Sequence, residues 1–150
     1  MVAHPAADLA AAQLRGNTHF FVFGHKPAYT ADYLGANKTP AAGMDTSPAL
    51  IDLRNKFWDV IEQYGALYFC GHEHVYNVMQ PRGSAYQLLV GSGGSPFDAK
   101  ITDTTLTPVD RYYAWATVNV YASGKVVVNG YGFDANYGPT QVLTTLTLSH

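Results

Sequence analysis

Two apolar runs in this 150-residue chain end in Gly-His. One reads Phe21-Val22-Phe23-Gly24-His25-Lys26-Pro27. The other reads Leu67-Tyr68-Phe69-Cys70-Gly71-His72-Glu73-His74. A glycine lets the backbone turn sharply, so the side chain that follows is aimed away from the strand axis. In open α/β sheets, ligands collect just beyond the carboxyl ends of strands. Two strands that both end in Gly-His therefore bring imidazoles to one rim. The i, i+2 spacing of His72 and His74 lets both rings converge on one centre or on two adjacent ones. Neutral imidazole is a ligand for zinc, iron, manganese-type and nickel ions. His25, His72 and His74 are thus the candidate metal ligands. His4, His19 and His150 lack this context and are assigned structural or solvent roles.

Other polar residues near these motifs carry weaker signals. Lys26 and Tyr29 flank His25 and can line a phosphate pocket or simply shape a loop. Glu73 is expected to point away from the two histidines, into solvent. Gly91-Ser92-Gly93-Gly94-Ser95 lacks the Gly-Lys-Ser/Thr ending of a nucleotide-binding loop and reads as a tight turn. Cys70 lies inside an apolar strand and reads as a buried, inert thiol. Asn37-Lys38-Thr39 is a glycosylation sequon, meaningful only in a secreted eukaryotic context.

The elements that must position these groups are legible in the pattern. Pro5 to Leu14 reads as a short helix closed by Gly16. Asn17 to Phe23 reads as a strand, and its unbroken apolar run suits one covered on both faces. Gly24 to Pro48 has no clear period and is long for a connection. Ser47-Pro48 opens the best helix, with Ser47 as the cap and Pro48 in the first turn. Leu50, Leu53, Phe57, Val60, Ile61 and Tyr64 fall on one face, and Gly65 stops the helix. Ala66 to Cys70 is a second buried strand, reached by a right-handed crossover if it runs parallel to the first. The second half is β-rich, with strands at Ala85–Val90, Tyr112–Tyr121, Lys125–Tyr131 and Val142–Leu148. Ser123-Gly124 forms a hairpin turn between two of them.

Composition limits the function classes. Apolar residues make up 47% of the chain and charged residues 13%, which excludes a disordered chain. The net charge is −2, so no broad basic field is offered to nucleic acid. No apolar run approaches the 18 or so residues of a membrane-spanning helix. The alanine-rich N-terminus has no basic region and is not read as a secretory signal. One cysteine excludes an internal disulfide framework. No repeat or linker divides the chain.

The strings Phe21-Val-Phe-Gly-His25-Lys-Pro-Ala-Tyr29 and Tyr68-Phe-Cys-Gly-His72-Glu-His74-Val-Tyr76 resemble the last two metal motifs of the calcineurin-like metallophosphoesterases. The likeness is closer to the purple-acid-phosphatase branch, where Gly-His-x-His is followed by a tyrosine. The helix after Pro48, the Gly91–Ser95 stretch and the terminal hairpins extend the resemblance over nearly the whole chain. It implies an α/β fold: residues 1–150 would form the β-rich C-terminal part of a four-layer α-β-β-α sandwich. It implies hydrolysis of a phosphate ester at two transition metals (iron, zinc or manganese), spaced as in two-metal phosphatases. His25 and His72 would bind one metal and His74 the other, with Tyr29 and Tyr76 near the substrate.

Three motifs of that family do not occur: Asp-x-His, Gly-Asp with its bridging carboxylate, and Gly-Asn-His. Tyr76-Asn77 also departs from the Tyr-Glu-Arg of the plant and animal acid phosphatases, so their substrate preferences are not carried over. The chain is expected to be the C-terminal part of an enzyme, completed by an N-terminal half or by self-association. The alternatives are a non-catalytic metal-binding module and a β-rich scaffold or interaction domain.

Overall fold

A computed structural model describes residues 3–31, 43–44, 48–94 and 111–149. The chain is α/β, with two sheets and a layer of helices. The elements in order are α1 (Ala3–Leu14), β1 (Phe21–Phe23), α2 (Pro48–Gln63), β2 (Leu67–Cys70), β3 (Tyr76–Met79), β4 (Gln87–Val90), β5 (Tyr113–Val120), β6 (Lys125–Phe133) and β7 (Gln141–Ser149). The expected long connection between β1 and α2 falls largely outside the described residues. So do the Ser47 cap, the sequon at Asn37 and Ser95.

Both helices end as the glycines foretell. Gly16 and Gly65 take φ of 86° and 58°, and the next residues donate back five positions, Asn17 to the Ala12 carbonyl and Ala66 to that of Ile61. That closure satisfies last-turn carbonyls and turns the chain straight into a strand.

The first sheet has the order β1-β2-β4-β3. β1, β2 and β4 are mutually parallel, with Phe21 opposite Leu67 and Tyr68 opposite Gln87. β3 returns antiparallel to β4. Every residue of β2 is buried, as its unbroken apolar run requires. β1 departs from expectation: among the described residues it is an edge strand, and Phe23 is 75% exposed. Only Phe20, just before it, is fully buried.

One face of this sheet packs on the helices. Leu9 of α1 and Phe57, Trp58 and Ile61 of α2 meet Tyr68, Cys70 and Leu89. Trp58 and Ile61 are completely enclosed. Leu50 and Leu53, expected on the same buried face, are instead 39% and 47% exposed. They overhang a groove shared with Val22, Phe23 and Tyr68. The first two turns of α2 therefore reach past the sheet edge.

The other face packs on the second sheet, an antiparallel β5-β6-β7 meander. Leu67, Phe69 and Leu88 meet Val126 and Val128, with Ala116, Leu146 and Leu148 at the margin. Alternation explains this split. Even-numbered residues of β6 are buried, while Lys125, Val127 and Asn129 face outwards. The expected turn at Ser123-Gly124 is present, with Gly124 at φ 82°. Among the described residues the layers are helix, sheet, sheet. No described helix is long and apolar enough to cross a membrane.

Candidate functional site

β1 and β2 are adjacent and parallel, so their carboxyl ends lie side by side. Pairing continues past the strands. Gly24 N–H donates to the Phe69 carbonyl, and Gly71 N–H donates to the His25 carbonyl, at 3.0 and 3.1 Å. This locks the two Gly-His segments in register. His25 Nε2 lies 2.9 Å from His72 Nδ1, and the rings meet edge to face with centroids 4.8 Å apart.

His72 reaches this position at a cost. Its φ is +72°, in the left-handed region that side-chain-bearing residues avoid. Such a conformation costs roughly 1–3 kcal/mol and persists only where the surroundings enforce it. Here they do. Glu73 N–H donates to the Gly71 carbonyl and Val75 N–H to the Glu73 carbonyl, so the segment is a run of tight turns. Gly91 passes so close that a Cβ there would strike the Glu73 carbonyl oxygen. The glycine after β4 is thus required for the turn that bears His72.

The loop after His25 is held by two buried polar side chains. Gln87, wholly buried at the start of β4, accepts from the amides of Ala28 and Tyr29 at 2.8 and 3.0 Å and donates to the Tyr29 carbonyl at 2.6 Å. Glu73 is 2% exposed, and its carboxylate accepts from the Ala31 amide at 3.0 Å. The expectation of a solvent-facing Glu73 is corrected. Unsatisfied loop amides are expensive to bury, and a carboxylate brought in from the His72 turn satisfies one of them. Gln87 carried a weak sequence signal, a single amide in the apolar run Tyr86-Gln87-Leu88-Leu89-Val90.

The remaining candidates are dispersed. Tyr29 packs edge-on against Trp58 at 5.3 Å, with the Arg54 guanidinium 4.2 Å above its ring. Burial raises the pKa of its hydroxyl, and the cations Arg54 and Arg82 oppose the rise. Tyr76 is 1% exposed, its hydroxyl lodged where a side chain on Gly130 of β6 would otherwise sit. Its ring fills the space between the sheets. Lys26 is exposed, and its carbonyl accepts from the Tyr68 hydroxyl at 2.6 Å. Cys70 is buried as expected, and burial pushes its thiol pKa well up. In the Gly91–Gly94 stretch Ser92 is buried and donates to the Tyr112 carbonyl at 2.5 Å, tying the turn to the second sheet.

The pair can do one of two things chemically. With one tautomer donating and the other accepting, it is an N–H···N hydrogen bond. Its spacing is also close to that of a shared cation. Two nitrogens bound at about 2.0–2.1 Å to a tetrahedral ion lie about 3.3–3.4 Å apart, so the rings must part by a few tenths of an ångström to share zinc. Among the described residues no group of three or more His, Cys, Asp or Glu side chains comes together to hold a metal. His74 is half-buried and does not complete such a group with His25 and His72. What the described residues bring together is two imidazole nitrogens and no third ligand. No protein-family model and no curated protein sequence matches this chain.

Proposed function

We propose that this chain is the histidine-bearing part of a metal-dependent phosphoester hydrolase of the calcineurin-like, purple-acid-phosphatase-like kind. The observation that carries this reading is the 2.9 Å approach of His25 Nε2 to His72 Nδ1 at the carboxyl ends of two adjacent parallel strands. Support comes from the strain accepted at His72.

The bound metal would supply Lewis-acid polarisation of a phosphoryl oxygen. The chain's own contribution is placement. His25 and His72 would hold one ion, and His74, on the same turn, is assigned to the second position. Gln87 and Glu73 fix the His25 loop and keep its backbone amides out of competition for the substrate. Tyr29, backed by Arg54 and Trp58, stands four residues after His25 and is assigned to the substrate side. The four-layer sandwich belongs to this proposal. The open edge of β1 and the outer face of β5-β6-β7 are where the remaining layers would attach.

A second reading, a non-catalytic metal-binding module, is favoured by the lack of a third gathered ligand among the described residues. Activity separates the two only when an N-terminal half is supplied, where the first reading expects turnover that His25→Ala abolishes. Without bridging carboxylates, the 150-residue chain alone is expected to hydrolyse an aryl phosphate at background rate. Calorimetric titration with Zn²⁺ tests the shared premise. One ion per chain is expected, held weakly and lost in His25→Ala and in His72→Ala. Unchanged binding in both variants would remove the basis of the reading.

A further inference from the structure

Beside the histidine pair, a cavity of about 430 Å³ opens between the two sheets. Its walls include Phe23, Phe69, Cys70, Val90, Ala116 and Val118, and no charged side chain lines it among the described residues. Phe23 and Phe69 stack with centroids 5.1 Å apart and planes inclined by 16°. Gly24 and Gly71, the residues immediately before His25 and His72, form the end nearest the imidazoles. The cavity therefore adjoins the backbone that carries the pair, while neither imidazole is part of its wall.

We propose that this cavity is a subsite for the organic group of a phosphoester, and that the group is uncharged and aromatic or bulky-apolar. The inference rests on the reading above for the phosphoryl end. For the organic end it rests on the cavity alone. An enclosed apolar cavity of about 150 Å³ can hold a benzene ring; this one is larger and open to solvent between Phe23 and Val118, so an aryl group can lie in it with one side exposed. Among the described residues its walls offer only backbone polar atoms and the Cys70 thiol, so the charges and many hydroxyls of sugars, nucleosides and amino-alcohols would lose water for few partners there. Phe23 and Phe69 provide a ring stack that a third ring can extend. Val118, 36% exposed on β5, lines the opposite side.

The test uses backbone-amide NMR on the whole chain with three probes: benzyl alcohol, phenylphosphonate and methylphosphonate. Benzyl alcohol, without metal, is expected to shift the amides of Gly24, Gly71, Ala116 and Val118 saturably. With one equivalent of Zn²⁺, phenylphosphonate is expected to bind at least tenfold more tightly than methylphosphonate. Val118→Trp fills the cavity and is expected to abolish the benzyl alcohol shifts while leaving Zn²⁺ affinity unchanged. Should that variant fail to fold, Val118→Ser is expected to weaken benzyl alcohol several-fold. Equal affinity for the two phosphonates overturns the proposal. So do benzyl alcohol shifts confined to Leu50 and Leu53 on α2, or undiminished benzyl alcohol binding in the Val118 variants. If Zn²⁺ does not bind, the phosphoester reading fails, and the benzyl alcohol arm still decides whether the cavity takes an aromatic group.

Discussion

At the residue scale, the decisive feature is that polar groups in this fold are spent on holding a loop. Gln87 makes three hydrogen bonds to the backbone at Ala28 and Tyr29 while wholly buried. Gln87→Leu keeps the volume but strands two amides and a carbonyl. A loss of about 2–4 kcal/mol is expected, since each buried unsatisfied group costs about 1–3 kcal/mol and the loop can relax partly towards water. Thermal or urea unfolding of the variant measures this. Alkaline stability gives a second residue-scale test. Burial raises the pKa of the Cys70 thiol above its ordinary 9.0 and that of the Tyr68 hydroxyl above its ordinary 10.0. The folded state therefore keeps protons that the unfolded chain releases. The stabilisation is complete below about pH 9 and erodes as pH rises above each unfolded value. Urea midpoints are expected to fall between pH 8.5 and 10.5, and less steeply in Cys70→Ala. A midpoint that rises over that range would contradict the assignment.

At the element scale, the two Gly-His strand ends become one site because β1 and β2 are parallel neighbours. The sequence carried that much: each strand has an apolar run, a terminal glycine and a histidine, and the strong helix between them implies a crossover. Other parts of the site were hidden for stated reasons. Glu73 was read as solvent-facing because its partner, the Ala31 amide, lies 42 residues away and becomes its neighbour only when the sheet forms. β3 was missed because Tyr76–Met79 is four residues long and follows the histidines without a turn signal. Phe23 was read as covered because an apolar run does not say which strand lies at the edge. Gly91 offers a test at this scale. Gly91→Ala drives a Cβ into the Glu73 carbonyl, which is backbone and cannot swing aside. The variant is expected to lose about 1–3 kcal/mol, the usual range for overpacking, and to weaken Zn²⁺ binding through the displaced His72 turn. Stability unchanged by calorimetry would show that the turn is not held where described.

At the scale of the whole molecule, the helix-sheet-sheet stack of the described residues carries apolar side chains on its surface. β1 has a paired neighbour on only one side in the sheet order, and Phe23, Leu50 and Leu53 are exposed beside it. Open edges with apolar flanks recruit other chains. Self-association is expected at micromolar concentration, most simply as a two-fold dimer through this edge. Sedimentation velocity checks it, and Phe23→Lys is expected to shift the distribution towards monomer. A cooperatively folding monomer at all concentrations would mean that these residues need no further layer.

In the proposed function His25 and His72 share one cation. X-ray absorption on the chain loaded with one equivalent of Zn²⁺ reads this directly. Two imidazole nitrogens per zinc are expected at about 2.0–2.1 Å, with the other positions filled by light oxygen donors, and the imidazole scattering is expected to disappear in His25→Ala and in His72→Ala, where the ion is no longer held. A spectrum of the unsubstituted chain with no imidazole scattering, or one unchanged by both substitutions, would contradict it.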